Sequence, residues 1–208
     1  MARTGRPREF DREKAVDAAM ALFWEHGYEP TSLSQLKDCM GGLSPASFYA
    51  AFGSKAGLFR EVVARYLETH GQATTTLKDA SLPPREAIET ALRRSARMQT
   101  AASHPAGCLI VLGAANCSPE NRHIEALLAS ERDRNRRAIK AHVDRAVENG
   151  DLLRSADGPA LVALINTFLL GISPAVRDGA TLDELEASIT RIMSVWDDAA
   201  AKPRSDAS

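Results

Sequence analysis

Three cysteines and five histidines are the side chains here best suited to metal or nucleophilic chemistry. The histidines at 26, 70, 104, 123 and 142 are scattered, and the cysteines at 39, 108 and 117 lack metal-ligand spacing. Cys108 has a suggestive setting. Gly107-Cys108-Leu109 opens the apolar run CLIVLGAAN just after His104-Pro105. A thiol in the first turn of a helix has its thiolate stabilised by the helix dipole, and a nearby imidazolium adds to that. The same position suits a small buried hydrophobe in a pocket wall, which is the reading the sequence favours, with the sensor reading kept beside it. Cys117 lies nine residues on. In a continuous helix that is a rise of about 13 Å and half a turn out of phase, too far for a disulfide unless the helix unwinds. There is no nucleotide-binding glycine loop, HExxH, CxxC or Gly-x-Ser-x-Gly. The expectation is a chain with no catalytic residues, no metal site and no cofactor.

The polar residues with the most telling spacing lie between Thr31 and Lys55, in TSLSQLKDCMGGLSPASFYAAFGSK. Ser32 with Gln35 forms a capping box, and Leu33, Leu36 and Met40 give one apolar face at helical spacing. Gly41-Gly42 stops that helix. Ser44-Pro45 starts the next, with serine as N-cap and proline at the first helical position. Two helices this short bury almost nothing alone. Their tight connection makes sense if the second is aimed at something, as in a helix-turn-helix whose second helix lies in the DNA major groove.

At these residues the chain resembles a known family. The run Leu43-Ser44-Pro45-Ala46-Ser47-Phe48-Tyr49, with Phe52-Gly53-Ser54-Lys55 and Leu58-Phe59, is similar to the DNA-binding signature of TetR-type bacterial transcriptional regulators. The likeness covers about residues 10 to 66. It implies a dimeric repressor that binds a palindromic operator and is released by a small-molecule effector. It also implies that helices five to seven line a ligand pocket and that the last two helices pair in a four-helix dimer interface. The stretch GCLIVLGAANC resembles one in TetR-type regulators that sense electrophiles or oxidants, which makes Cys108 and Cys117 candidate redox sensors. The competing expectation is an all-α small-molecule-binding or catalytic protein whose helix-turn-helix no longer binds DNA.

Composition sets wider bounds. The 208 residues, 44% hydrophobic and 25% charged, are those of a globular chain with net charge −1. No apolar run approaches 18 residues, so no membrane span is expected. MARTGRPREF has no apolar core for a signal peptide, and the odd cysteines suit a reducing cytoplasm. Residues 1–60 carry 8 Lys and Arg against 7 Asp and Glu. DNA binding would therefore rest on a few placed donors and on dimerisation, not on a broad basic field.

Helical periodicity predicts an all-α fold of about nine helices: 11–26, 32–40, 45–51, 54–77, 84–102, 108–116, 119–149, 158 onward with Pro174 kinking or ending it, and 182–197. The expected organisation is a flexible basic arm at 1–10, a helix-turn-helix domain at 11–53, a regulatory and dimerisation domain at 54–198, and a disordered tail at 199–208. Within it, Arg3, Arg6 and Arg8 of the arm are placed in a minor groove. Ser44, Pro45, Ala46 and Ser47 open the recognition helix, while Thr31, Tyr49 and Lys55 clamp phosphates. Met98, Cys108, Leu109, Leu112, Leu127 and Phe168 are the expected pocket wall. Leu161, Ile165, Leu185, Ile189, Ile192 and Trp196 form the expected dimer interface.

Overall fold

The computed structural model describes residues 11–200. Arg3, Arg6, Arg8 and the expected arm lie outside the described residues, as does the tail from 201 onward.

Among the described residues the fold is all-α. The head begins with α1 (Arg12–His26), where the Asp11 carboxylate accepts from the Lys14 N–H at 3.1 Å. Next comes α2 (Leu33–Cys39), closed at its start by both bonds of the Ser32/Gln35 capping box. Then α3 (Pro45–Phe52) starts on Ser44 with proline at its first position, and α4 (Lys55–Glu68) starts on Ser54. The approach of α3 to α4 needs glycine at 57, because a Cβ there would overlap the Phe52 carbonyl oxygen.

The expected single helix over 54–77 is two elements. After α4, Thr69 leaves helical geometry (φ −113°, ψ −89°), and His70–Lys78 is a 3₁₀ helix. Threonines there spend their hydroxyls on nearby backbone, Thr75 donating to Gln72 O at 2.8 Å and Thr74 to Gly71 O at 3.4 Å. Such side-chain bonds compete with a regular α-helical ladder.

The body continues with α5 (Pro84–Thr100) and α6 (Leu109–Leu112). A helix was expected over 108–116, but α6 is a single turn. The reason is tertiary: the Gly113 carbonyl accepts from the Tyr28 N–H of the head at 2.7 Å, which takes it out of the helical ladder. A short 3₁₀ segment (Pro119–Asn121) leads into the long α7 (Arg122–Asn149). Helix α8 (Gly158–Arg177) carries Pro174 inside it and runs a further turn instead of ending. Last is α9 (Leu182–Asp198), with a Thr181/Glu184 capping box. Ala199 and Ala200 belong to the fold, not to a tail. Leu153 N–H donates to Ala199 O at 3.0 Å, and Leu152 bridges Ala200.

Two apolar cores form. One joins α1–α4 to Leu109, Ile110, Ile124 and Leu128, so it does not stop at the expected boundary of 53. The other gathers α5, α7, α8 and α9. By length and composition alone α8 could cross a membrane, contrary to the expectation that no segment would, and only a third of its apolar window is buried. In this fold one side of α8 packs into the second core and its end holds the head.

Candidate DNA-reading face and ligand cavity

On α3 the aromatic side chains divide by face. Phe48 is 1% exposed and Phe52 is also buried, while Tyr49 is 51% exposed and stands edge-on to Phe48. Ser44, Pro45, Ala46 and Ser47 are all exposed at the N-terminal end of the helix. The Ser44 hydroxyl caps the helix by accepting from Ser47 N–H at 3.1 Å and lies 2.9 Å from the Ser47 hydroxyl. The end of the helix that would meet base edges is thus small, polar and pre-shaped.

Two expected phosphate clamps are not free for that role. Thr31 is buried, and its hydroxyl donates to Gly27 O at 2.6 Å, tying the turn after α1. Lys55 is half-buried. Its Nζ donates to Glu29 O at 3.3 Å and lies 4.3 Å from the Tyr28 ring centroid. Desolvation lowers the Lys55 pKa, against the pull of Glu29. Both side chains tie down the turn joining α1 to α2, Thr31 from within it and Lys55 from the start of α4, by satisfying its Gly27 and Glu29 carbonyls.

Behind the head lies a cavity of about 70 Å³. Met98 and Cys108 are on its wall. Leu109, Leu112, Leu127 and Phe168 are not. With α6 only one turn long, Leu109 points into the first core and Leu127 packs on that core's edge. Phe168 faces a separate shallow groove between α8 and α9. The cavity also has polar walls from Tyr66, His70, Ser95, Gln99, Arg132 and Asn135.

Cys108 precedes α6 and accepts a hydrogen bond from the Tyr66 hydroxyl at 3.2 Å. Burial pushes its thiol pKa up, outweighing the Tyr66 and backbone bonds that pull it down. By surface area Cys108 is half-buried, on the wall of the cavity. His104 sits not over the thiol but in an aromatic cluster, stacked on Trp24 at 4.5 Å and edge-on to His70 at 4.6 Å. Because α6 is short, the helical-rise argument separating Cys108 from Cys117 no longer applies. Both thiols are free, and burial raises Cys117 as well.

Residues 15–62 match the family described as "Bacterial regulatory proteins, tetR family". The chain is 31% identical over 195 residues to the HTH-type transcriptional repressor ComR of Escherichia coli (strain K12), covering 92% of this chain and 91% of ComR. It is 30% identical over 186 residues to the repressor BdcR of the same strain, covering 88% of each. This chain belongs to the TetR family. The TetR family transcriptional regulator CifR, solved as a cysteine mutant complexed with 26-base-pair operator DNA, shares 37% identity and a TM-score of 0.82, covering 92% of this chain and all of that one. This TetR-family chain is a DNA-binding transcriptional repressor.

The expected dimer residues sit mostly inside the protomer. Leu161, Ile165, Leu185, Ile189 and Trp196 are buried in the second core, and Ile192 is half-buried at its edge. The apolar side chains left outside on the same helices are Leu164 (39% exposed) on α8 and Val195 (43% exposed) on α9, with half-buried Phe168 near them in sequence on α8. Helix α8 is apolar on two sides, and the stripe chosen from sequence is the one that faces inward. The near-continuous run LVALINTFLLGIS was the available signal, since a helix apolar all round has two surfaces to bury.

Sequence reasoning also missed what ties the head of this TetR-family fold to its body. Arg177, at the end of α8, donates to Trp24 O at 2.7 Å, Glu25 O at 3.1 Å and Ala106 O at 3.3 Å. From the other side Asn121 Nδ2 donates to the Glu29 carboxylate at 2.9 Å. A basic residue in a last helical turn is common, and nothing in sequence marks its partners.

Proposed function

We propose that the protein is an effector-released repressor that binds a palindromic operator as a two-fold dimer, without enzymatic activity, in the cytoplasm. The observation that carries this is the exposed N-terminal face of α3, Ser44 to Ser47 with Tyr49, held by Phe48 and Phe52 packed beneath it. That arrangement suits a recognition helix entering a major groove. Ser47 can donate to or accept from base edges, Ala46 can contact a thymine methyl, and Tyr49 can reach a backbone phosphate.

The proposed division is a head at 11–53, with α4 linking it to a body that extends to Ala200. Leu164, Phe168, Ile192 and Val195 form the proposed dimer seam, which would cover the apolar surface that one protomer leaves open. The cavity beside Tyr66 and Cys108 is the proposed effector site. Its wall at His70 belongs to the cluster on Trp24 of α1, and the loop carrying His104 and Ala106 is gripped by Arg177. An effector that prefers a different arrangement of this junction would lower operator affinity by linkage.

The test is fluorescence anisotropy with a palindromic duplex from the protein's own promoter region, half-sites about one helical turn apart. Retention at moderate salt with two protomers per site is expected. Equal affinity for that duplex and a scrambled one would overturn the reading.

A further inference from the structure

The cavity holds two buried polar side chains with hydrogen-bonding capacity to spare. Ser95 on α5 is 2% exposed, and its hydroxyl has no hydrogen-bond partner among the described residues. Gln99, one turn further on, is also 2% exposed. Its Oε1 accepts from the Ser173 hydroxyl at 2.6 Å, which leaves its amide nitrogen unpartnered on the cavity wall. Both residues line the cavity with a donor to spare, so a guest that carries acceptors can take the two together.

The charge around the cavity has one sign left over. Glu131 is paired with Arg134 at 2.7 Å. Arg132 and Lys78, also on the wall, have no carboxylate partner among the described residues, and Arg132 is steadied by donating to Ile110 O at 2.7 Å. The other titratable groups in the wall are neutral near pH 7. Burial lowers the His70 imidazole pKa and raises the Tyr66 and Cys108 pKa values. The rest of the wall is apolar, from Met98, Val111 and Leu169 among others. The space, about 70 Å³, is roughly half of a cavity known to hold benzene, which limits an occupant to about three to five non-hydrogen atoms.

We propose that this cavity binds a short-chain carboxylate, its oxygens taking the Ser95 hydroxyl and Gln99 amide as donors in the field of Arg132 and Lys78, and its alkyl end lying on the apolar wall. This names the ligand class of the proposed effector site and rests on that reading. Two donors and a net positive wall favour an anion over a neutral alcohol or amine, and the size excludes long-chain acids.

Isothermal titration of the full chain without DNA tests it, with sodium propionate, uncharged propionamide of nearly the same shape and sodium octanoate, all at one ionic strength. Propionate is expected to bind about tenfold more tightly than propionamide, and octanoate not at all. Ser95→Val should weaken propionate about tenfold while leaving thermal unfolding unchanged or higher, since it fills the space and removes the donor. Lys78→Gln, at an exposed position that cannot disturb the core, should weaken it about threefold and gives a second readout should Ser95→Val fail to fold. Equal binding of propionate and propionamide, no binding of propionate, or affinity unchanged in both variants would overturn the proposal. Operator release is measured separately. Propionate that binds but releases no operator would sink the effector reading and leave the ligand class standing. Release by some other small molecule, with propionate unbound, would do the reverse.

Discussion

In α3 the serines and Tyr49 stand outside and the two phenylalanines turn in; around the cavity, Ser95, Gln99 and Tyr66 are polar yet buried among apolar neighbours. Both regions hold hydrogen-bonding groups in fixed positions, but they do so by different means. Ser44, Ser47 and Tyr49 are positioned by local rules: a serine cap, a proline at the first helical position and the 100° step between Phe48 and Tyr49. Ser95 on α5, Tyr66 on α4, Cys108 before α6 and Arg132 on α7 meet only because four elements pack together. The first kind of site takes its local shape from residues within α3 and its cap. The second is tied to the head through Arg177 and the Trp24–His104 stack.

The largest expected effect separates inside from outside on α9. Ile189→Asp places a charge where the protomer is closed and should cost about 3–5 kcal/mol, giving unfolded or insoluble protein. Val195→Asp, six residues on and exposed, should leave the unfolding temperature near that of the parent and yield monomer in sedimentation velocity. A folded Ile189→Asp protein, or a Val195→Asp dimer, would erase the distinction between core and seam.

Next in size is the joint between the two regions. Arg177→Ala removes donors from the Trp24 and Glu25 carbonyls at the end of α1. A loss of about 1–3 kcal/mol is expected, with faster amide exchange at Gly27 and Tyr28 and operator affinity down about tenfold. Parent-like exchange at those amides would show that the head is held without it.

Smaller effects belong to α3. Tyr49→Phe should weaken every duplex alike, by about 1 kcal/mol, because phosphates carry no sequence. Ser47→Ala should instead change the preference between operator sequences by a similar amount. Anisotropy titrations on an operator and a scrambled duplex distinguish the two, and a sequence-dependent Tyr49→Phe effect would move that hydroxyl from phosphate to base.

The least effect is in pH. Burial, with His104 adding to it, lowers the His70 pKa, and burial lowers that of His142. In the unfolded chain both titrate near about 6.5, so just below that pH the unfolded state binds more protons. Stability is then fully present above about pH 6.5 and falls as pH drops from there towards the lowered folded values. Thermal melts between pH 7.5 and about 5 should show this decline, and His70→Gln should flatten part of it. A slope unchanged by that substitution would assign the decline to His142 and the carboxylates.

The head was legible because its signals are local. The capping box at Ser32, the Ser44-Pro45 start and the glycine stops each act within four residues, and the structure places α1 to α3 within a residue of expectation. Thr31 and Lys55 escaped the same reasoning. Helix-start position says where a side chain begins but not that Gly27 O and Glu29 O would claim its donors. In the body, periodicity found the helices and misjudged their faces. An apolar stripe such as Leu161-Ile165 or Leu185-Ile189 looks the same whether it meets its own protomer or another.

From sequence alone came the all-α class, the bounds of α1 to α3 and the family likeness, since caps, turn residues and 3.6-residue periodicity are short-range physics. Tertiary structure alone decided three other things: that α6 is a single turn because Tyr28 takes the Gly113 carbonyl, that Ser95 and Gln99 share a cavity wall with Arg132, and that the outward face of α8 is at Leu164, not Leu161. Each depends on which distant element arrives opposite a side chain, and hydrogen-bond and burial partners across tens of residues leave no periodic trace in the chain.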